Sequence, residues 1–165
     1  MYCRNALLDI HVRAHQSLAG LLRHCRELTA DELRRELPGF GYPTVHEQLE
    51  HVIGAEQYWM RVVRGTYVSR QESDEGDGRF PTVEALEQFR VVVAGETEDD
   101  LRNSTDEAWN EPREMLTWPD NRRILVPALI LLRTQMHIYQ HQGQVMAMCR
   151  TMGKPGPAGL DFPIV

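Results

Sequence analysis

Two histidines, His137 and His141, lie four residues apart in the run Met136-His137-Ile138-Tyr139-Gln140-His141-Gln142-Gly143-Gln144. In a helix that spacing puts both rings on one face, about one turn from each other, where they can share a divalent ion. The run is apolar nearly all round and holds no proline between Pro127 and Pro155, so a helix is expected. An imidazole buried on such a face costs free energy unless both ring nitrogens find partners, and a metal can satisfy one of them. Taken alone, the pair is more simply two hydrogen-bonded core histidines.

A zinc or nickel centre usually takes a third protein ligand, which here must come from another helix. His51 qualifies by position, near the middle of a second expected helix and beside its apolar stripe of Val45, Leu49, Val52 and Ile53. His46, in the first turn of that helix, is expected to cap it or face solvent. His11 and His15 form the other four-residue pair, but Arg4, Arg13, Arg23 and Arg26 are their neighbours in sequence, and a surface or rim position is expected. His24 carries no special signal. The residues thus lead to a candidate three-histidine centre with open positions, set against satisfied core histidines.

The elements that must position these side chains follow from periodicity and punctuation. Apolar residues from Cys3 to about Leu28 recur at threes and fours, an amphipathic helix. Thr29-Ala30-Asp31-Glu32 fits a capping box for a short helix to about Leu37, broken by Pro38-Gly39-Phe40-Gly41-Tyr42-Pro43. Thr44-Val45-His46-Glu47 is a second capping box, opening a long helix that ends near Gly65. Residues 66–80 carry Glu72, Asp74, Glu75 and Asp77 among Ser and Gly and read as a solvated loop, without the ligand spacing of a calcium loop.

Pro81-Thr82-Val83 starts a third long helix toward Asn103. Between Thr105 and Arg123 the pattern turns irregular, with Pro119-Asp120-Asn121 as the tip of a small hairpin between Met115 and Val126. The last long helix runs from Pro127 to Gly153, and the tail from Pro155 to Val165 is expected to lie extended on the surface. The predicted fold is all-α: a four-helix bundle with a short extra helix and a small irregular or hairpin insert before the last helix, as a single domain over residues 1–165.

The segment from Thr44 to Trp59, with His51 inside it, resembles the second-helix motif of the DinB/YfiT-like family of metalloenzymes. His137-Ile138-Tyr139-Gln140-His141-Gln142-Gly143-Gln144 is similar to that family's last-helix H-x-x-x-H-R-G-Q signature, with Gln142 in place of the usual arginine. The turn at Pro119-Asp120-Asn121 and the exit Gly153-Lys154-Pro155 match its layout. The resemblance implies a bundle in which His51, His137 and His141 bind one divalent ion. It also implies a chemistry known or proposed for the wider group, thiol S-transfer or isomerisation with bacillithiol, mycothiol or glutathione. A low-molecular-weight thiol bound as thiolate would then be the nucleophile, and hydrolysis by an activated water is equally consistent. No catalytic residue is assigned. Glu56, one turn and one residue beyond His51, could orient a ligand or act as a base, although a buried salt bridge is the plainer reading. Gln144 could hold a ligand imidazole from behind.

Composition bounds the rest. At 165 residues the chain is long enough to bury its own core, and 42% hydrophobic with 25% charged residues is the balance of a soluble globular protein. No stretch has the length of a membrane span and no signal segment is visible, so the expected compartment is the cytoplasm. Three widely spaced cysteines, Cys3, Cys25 and Cys149, read as reduced thiols. A net charge of −6 with no basic block disfavours nucleic acid. The expected partners are a small-molecule substrate and a second copy in a homodimer, with no membrane. The competing function is a non-catalytic stress-response or binding module with a structural metal.

Overall fold

The computed structural model describes residues 1–68 and 79–164, so most of the loop read over 66–80, with its excluded calcium motif, lies outside the described residues. The elements are α1 (Arg4–Cys25), α2 (Ala30–Leu33), α3 (Val45–Arg64), α4 (Val83–Asn103), α5 (Asp106–Asn110), β1 (Arg113–Thr117), β2 (Asn121–Leu125) and α6 (Pro127–Thr151). Four long helices and one two-stranded hairpin make an all-α bundle with a short insert before the last helix, as expected.

Both capping boxes form. Thr29 and Thr44 each accept from the backbone amide three residues on, and Glu32 and Glu47 return the bond to the cap residue's own amide. α2 stops at Leu33, short of the expected Leu37, because Pro38 ends the run and the Leu37 amide donates instead to the Pro43 carbonyl at 2.8 Å. That bond folds residues 38–43 back over the start of α3. The irregular stretch before the hairpin contains a helix the sequence did not suggest, α5, capped by Thr105 and pinned by the buried Trp109. The hairpin tip is Trp118-Pro119-Asp120, and the Trp118 amide donates to the Tyr58 hydroxyl at 2.7 Å, tying the tip to α3.

Going round the bundle the order is α1, α4, α3, α6, with each long helix packed on two neighbours. Consecutive long helices α1 and α3 are therefore diagonal, as are α4 and α6. The tail packs along the seam of α1 and α6: the Leu160 carbonyl accepts from Ser17 Oγ and Gln142 Nε2, and the Pro163 carbonyl from Arg13. Gln142, where the family signature carries arginine, thus faces the tail. Among the described residues no helix is long and apolar enough to cross a membrane.

The apolar core is split into layers. Besides a small cluster of Val62, Tyr67, Met115 and Ile130, one layer holds Leu18, Leu22, Leu49, Ile53, Leu86, Ile138 and Met148, and the other Leu7, Met60, Leu101, Trp109 and Leu131. Between them every long helix contributes polar side chains: His11 and His15 from α1, Glu56 from α3, Thr97 from α4, and Thr134 and Gln135 from α6, all buried.

Candidate metal centre

Among the described residues two groups of side chains come close enough to hold an ion: His51, His137 and His141, and His11, His15 and Glu56. In each, the candidate ligand atoms lie within 4.8 Å of one another. They differ in what already satisfies them.

The first group sits between α3 and α6. The Thr44 box fixes where α3 starts, which places His51 in its second turn, and α6 presents His137 and His141 one turn apart on the facing stripe. The His51 ring centroid is 5.1 Å from that of His137 and 4.9 Å from that of His141. Nε2 of His137 and Nε2 of His141 face each other at 2.9 Å. The three rings that the sequence nominated from distant stretches converge.

The surroundings decide which nitrogens are available. Gln48, fully buried one turn before His51, donates through Nε2 to the Tyr42 carbonyl at 2.7 Å and to Gln144 Oε1 at 3.0 Å. Both acceptors fix its amide orientation, so its oxygen points at His141 Nδ1 and accepts from it. His141 is thereby held with its proton on Nδ1 and its lone pair on Nε2, aimed at His137. Gln144 does not touch an imidazole; it orients the glutamine that does. Tyr42, carried in by the folded-back loop, stacks on His51 with centroids 4.0 Å apart and 24° between planes.

Among the described residues no carboxylate is within ion-pair distance of these rings; the histidines that have one are His11, His15, His24 and His46. Burial, then the proximity of His141, pulls His51 down to about 4. Burial, then His141, His51 and the Arg133 guanidinium, does the same to His137, also to about 4, and burial lowers His141. All three are uncharged at neutral pH. Neutral imidazole lone pairs turned toward one point, backed by a proton-fixing amide, are the donor set a divalent transition-metal ion takes. His51 and His137 are only half-buried, so the ring cluster is open on one side.

The second group corrects the reading of His11 and His15. They are not at the rim: His11 is 0% and His15 4% exposed. The arginines near them in sequence lie on other faces of α1, while Leu7, His11, His15, Leu18 and Leu22 continue one buried stripe at threes and fours. That continuity was the signal available. Each donates from Nε2 to one oxygen of Glu56, at 3.0 Å and 2.9 Å, and Thr97 Oγ1 donates at 3.0 Å to the first of these oxygens. Burial, the largest influence, pushes the Glu56 carboxyl up; the two histidines together outweigh it and hold the acid below its ordinary range. This carboxylate already has its hydrogen bonds, and it serves no ring of the first group. His46 is also no cap: it is buried, with Nε2 2.6 Å from the Phe80 carbonyl.

Tyr42 and Gln48 were missed by sequence reasoning. A glutamine amide carries no spacing signature, and Tyr42 lies in a segment legible only as a helix breaker.

No curated protein matches the chain. The family model of the DinB superfamily matches residues 13–145, a span that contains all three converging histidines. The chain belongs to the DinB superfamily.

Proposed function

We propose that this protein is a metal-dependent enzyme in which His51, His137 and His141 hold one divalent ion, zinc or nickel, and a small molecule reacts at the open side. The observation that carries this reading is the convergence of three imidazoles with no acidic partner among the described residues, one of them held in the ligating tautomer by Gln48. Bound there, such an ion would lower the pKa of a thiol or water and so supply the nucleophile for thiol transfer or hydrolysis near neutral pH.

The chain's own residues do the positioning. Gln48 keeps the His141 proton on Nδ1. Tyr42 covers one face of His51 and shields it from water. Glu56 is withheld from proton transfer by its two histidines, so no general base is assigned to it.

Tag-free protein incubated with excess zinc or nickel is expected to retain about one ion per chain by elemental analysis, and His51→Ala to retain almost none. A screen of low-molecular-weight thiols and electrophiles on both proteins, read beside melting curves, tests the reaction. Wild-type protein that stays ion-free ends the proposal. If His51→Ala instead melts far lower and the loaded wild type turns over no thiol or ester, the ion is structural and the protein is a binding module.

A further inference from the structure

Cys25 and Cys149 stand apart from both histidine groups. Cys25 is the last residue of α1 and Cys149 lies in the last turn of α6, and these two helices are neighbours in the bundle. Bonds around the cysteines tie the two helix ends together. His24 Nε2 is 3.3 Å from the Lys154 carbonyl, and the Lys154 amide donates to the Cys149 carbonyl at 2.9 Å. Lys154 Nζ donates to the Glu27 carbonyl at 3.0 Å and to Glu32 Oε2 at 2.6 Å. Between these ends both cysteines are 0% exposed within one apolar cluster, where their thiols share a hydrogen bond and Cys149 also bonds to His24. The arrangement is not a third place for an ion, because the donor atoms of Cys25, Cys149 and His24 do not gather within 4.8 Å of one another as those of the histidine groups do.

The two thiols are unequal. The bond from Cys25 holds the Cys149 thiol down to about 7; burial opposes it, and His24 and Lys154 add to it. The same bond, then burial, pushes Cys25 far above the ordinary thiol range. Cys149 is therefore the nucleophile of the pair, and Cys25 the thiol that keeps its proton. A cleft of about 440 Å³ between α1 and the tail opens onto His24, with Arg23, Glu27 and Pro155 also in its wall. Sulfur lying behind that wall is shut off from bulky reagents. Helix ends open most readily, however, and hydrogen peroxide is little larger than water.

We infer that Cys25 and Cys149 are a peroxide-oxidisable pair that closes into a disulfide between the C-terminal ends of α1 and α6. The Cys149 thiolate attacks one peroxide oxygen and the O–O bond breaks, giving a sulfenic acid; the departing hydroxide takes up the proton that Cys149 released and leaves as water. The Cys25 sulfur then attacks the Cys149 sulfur and the S–O bond breaks, the leaving hydroxide taking the Cys25 proton as a second water. Two thiols are oxidised to one disulfide, and one peroxide is reduced to two waters. An added dithiol reverses the change by exchange. His24 is a positioning residue that favours the Cys149 thiolate. None of this depends on the metal-site reading.

The test begins with full-length Cys3→Ala protein, which removes the exposed thiol and leaves only the buried pair. The reduced protein is kept in chelator, treated with hydrogen peroxide at pH 7, denatured and alkylated; intact mass counts the remaining thiols and peptide mapping locates any link. One intramolecular Cys25–Cys149 disulfide is expected, with both thiols recovered by dithiothreitol. In the same background, Cys25→Ala should let dimedone trap a sulfenic acid on Cys149, whereas Cys149→Ala should leave Cys25 unmodified over the same time. His24→Gln should slow thiol loss roughly tenfold at pH 7 and much less at pH 9, where Cys149 ionises without help, a pH profile that a merely structural role would not produce. Both thiols still open to alkylation after peroxide, links only between separate chains, or Cys149 carried on to sulfinic acid with Cys25 free would each overturn the inference. Because the first arm changes only an exposed residue, it decides the matter whether or not the buried substitutions fold.

Discussion

Two histidine clusters occupy one bundle, and they have opposite chemistry. The His11–Glu56–His15 group is at the centre, where both oxygens of a buried carboxylate are taken, by two imidazoles and a threonine hydroxyl. The His51–His137–His141 group is at the edge, between two helices, where among the described residues no carboxylate pairs with the rings and their candidate ligand nitrogens converge. Each contains one histidine pair spaced four residues apart on a helix. What separates them is the carboxylate: with it the inward ring nitrogens are already bonded, and without it they form an unfilled donor set.

The widest predicted separation is in stability. Glu56→Ala leaves two buried imidazoles without their acceptor, and is expected to cost about 3–5 kcal/mol in urea unfolding at pH 7, the scale for removing one partner of a buried pair. His137→Ala, at a half-buried position, is expected to cost less than about 1 kcal/mol. Equal losses in the two variants would erase the distinction between network and donor set.

A smaller effect sharpens the edge site. Gln48→Leu removes the amide that holds the His141 proton on Nδ1, and zinc affinity should fall about 10- to 100-fold with the three imidazoles intact. Unchanged affinity in a competition titration against a chelator would mean that the tautomer is set by something else.

The smallest effect is the response to acid. The folded-state Glu56 carboxyl is depressed below its ordinary value of 4.5, so its contribution to stability is complete above that pH and is withdrawn as protons are added below it. The stability gap between wild type and Glu56→Ala should therefore narrow from pH 5 toward pH 3. A gap that widens on acidification would show the sign of the shift to be wrong.

The edge site was legible in sequence because its determinants are local. The i,i+4 histidines need only a helix, and His51 is placed by a capping box seven residues upstream at Thr44. Of the central network only Glu56 was legible, as a buried salt bridge; its partners His11 and His15 were not, because the pairing joins α1 to α3 across the bundle diagonal, which no local pattern encodes. Arginines close to His11 and His15 in the chain suggested solvent, whereas the angular position around α1 decided burial. α5 was missed for a related reason: Thr105 and Trp109 give it a cap and an anchor, but five residues are too few to show a period. Tyr42 reaches His51 through non-local bonds, Leu37 to Pro43 closing its loop and Gln48 to its own carbonyl.

The layering of the core has one more consequence. Apolar stripes alone tolerate sliding, since a helix moved along its axis by one turn, about 5.4 Å, still meets hydrocarbon. Here such a slip by any of the four helices would strand a charge opposite leucines. The buried Glu56 carboxylate in the middle thus acts as a vernier mark, fixing the vertical alignment of the scaffold and, through α3 and α6, the height at which residues 51, 137 and 141 meet.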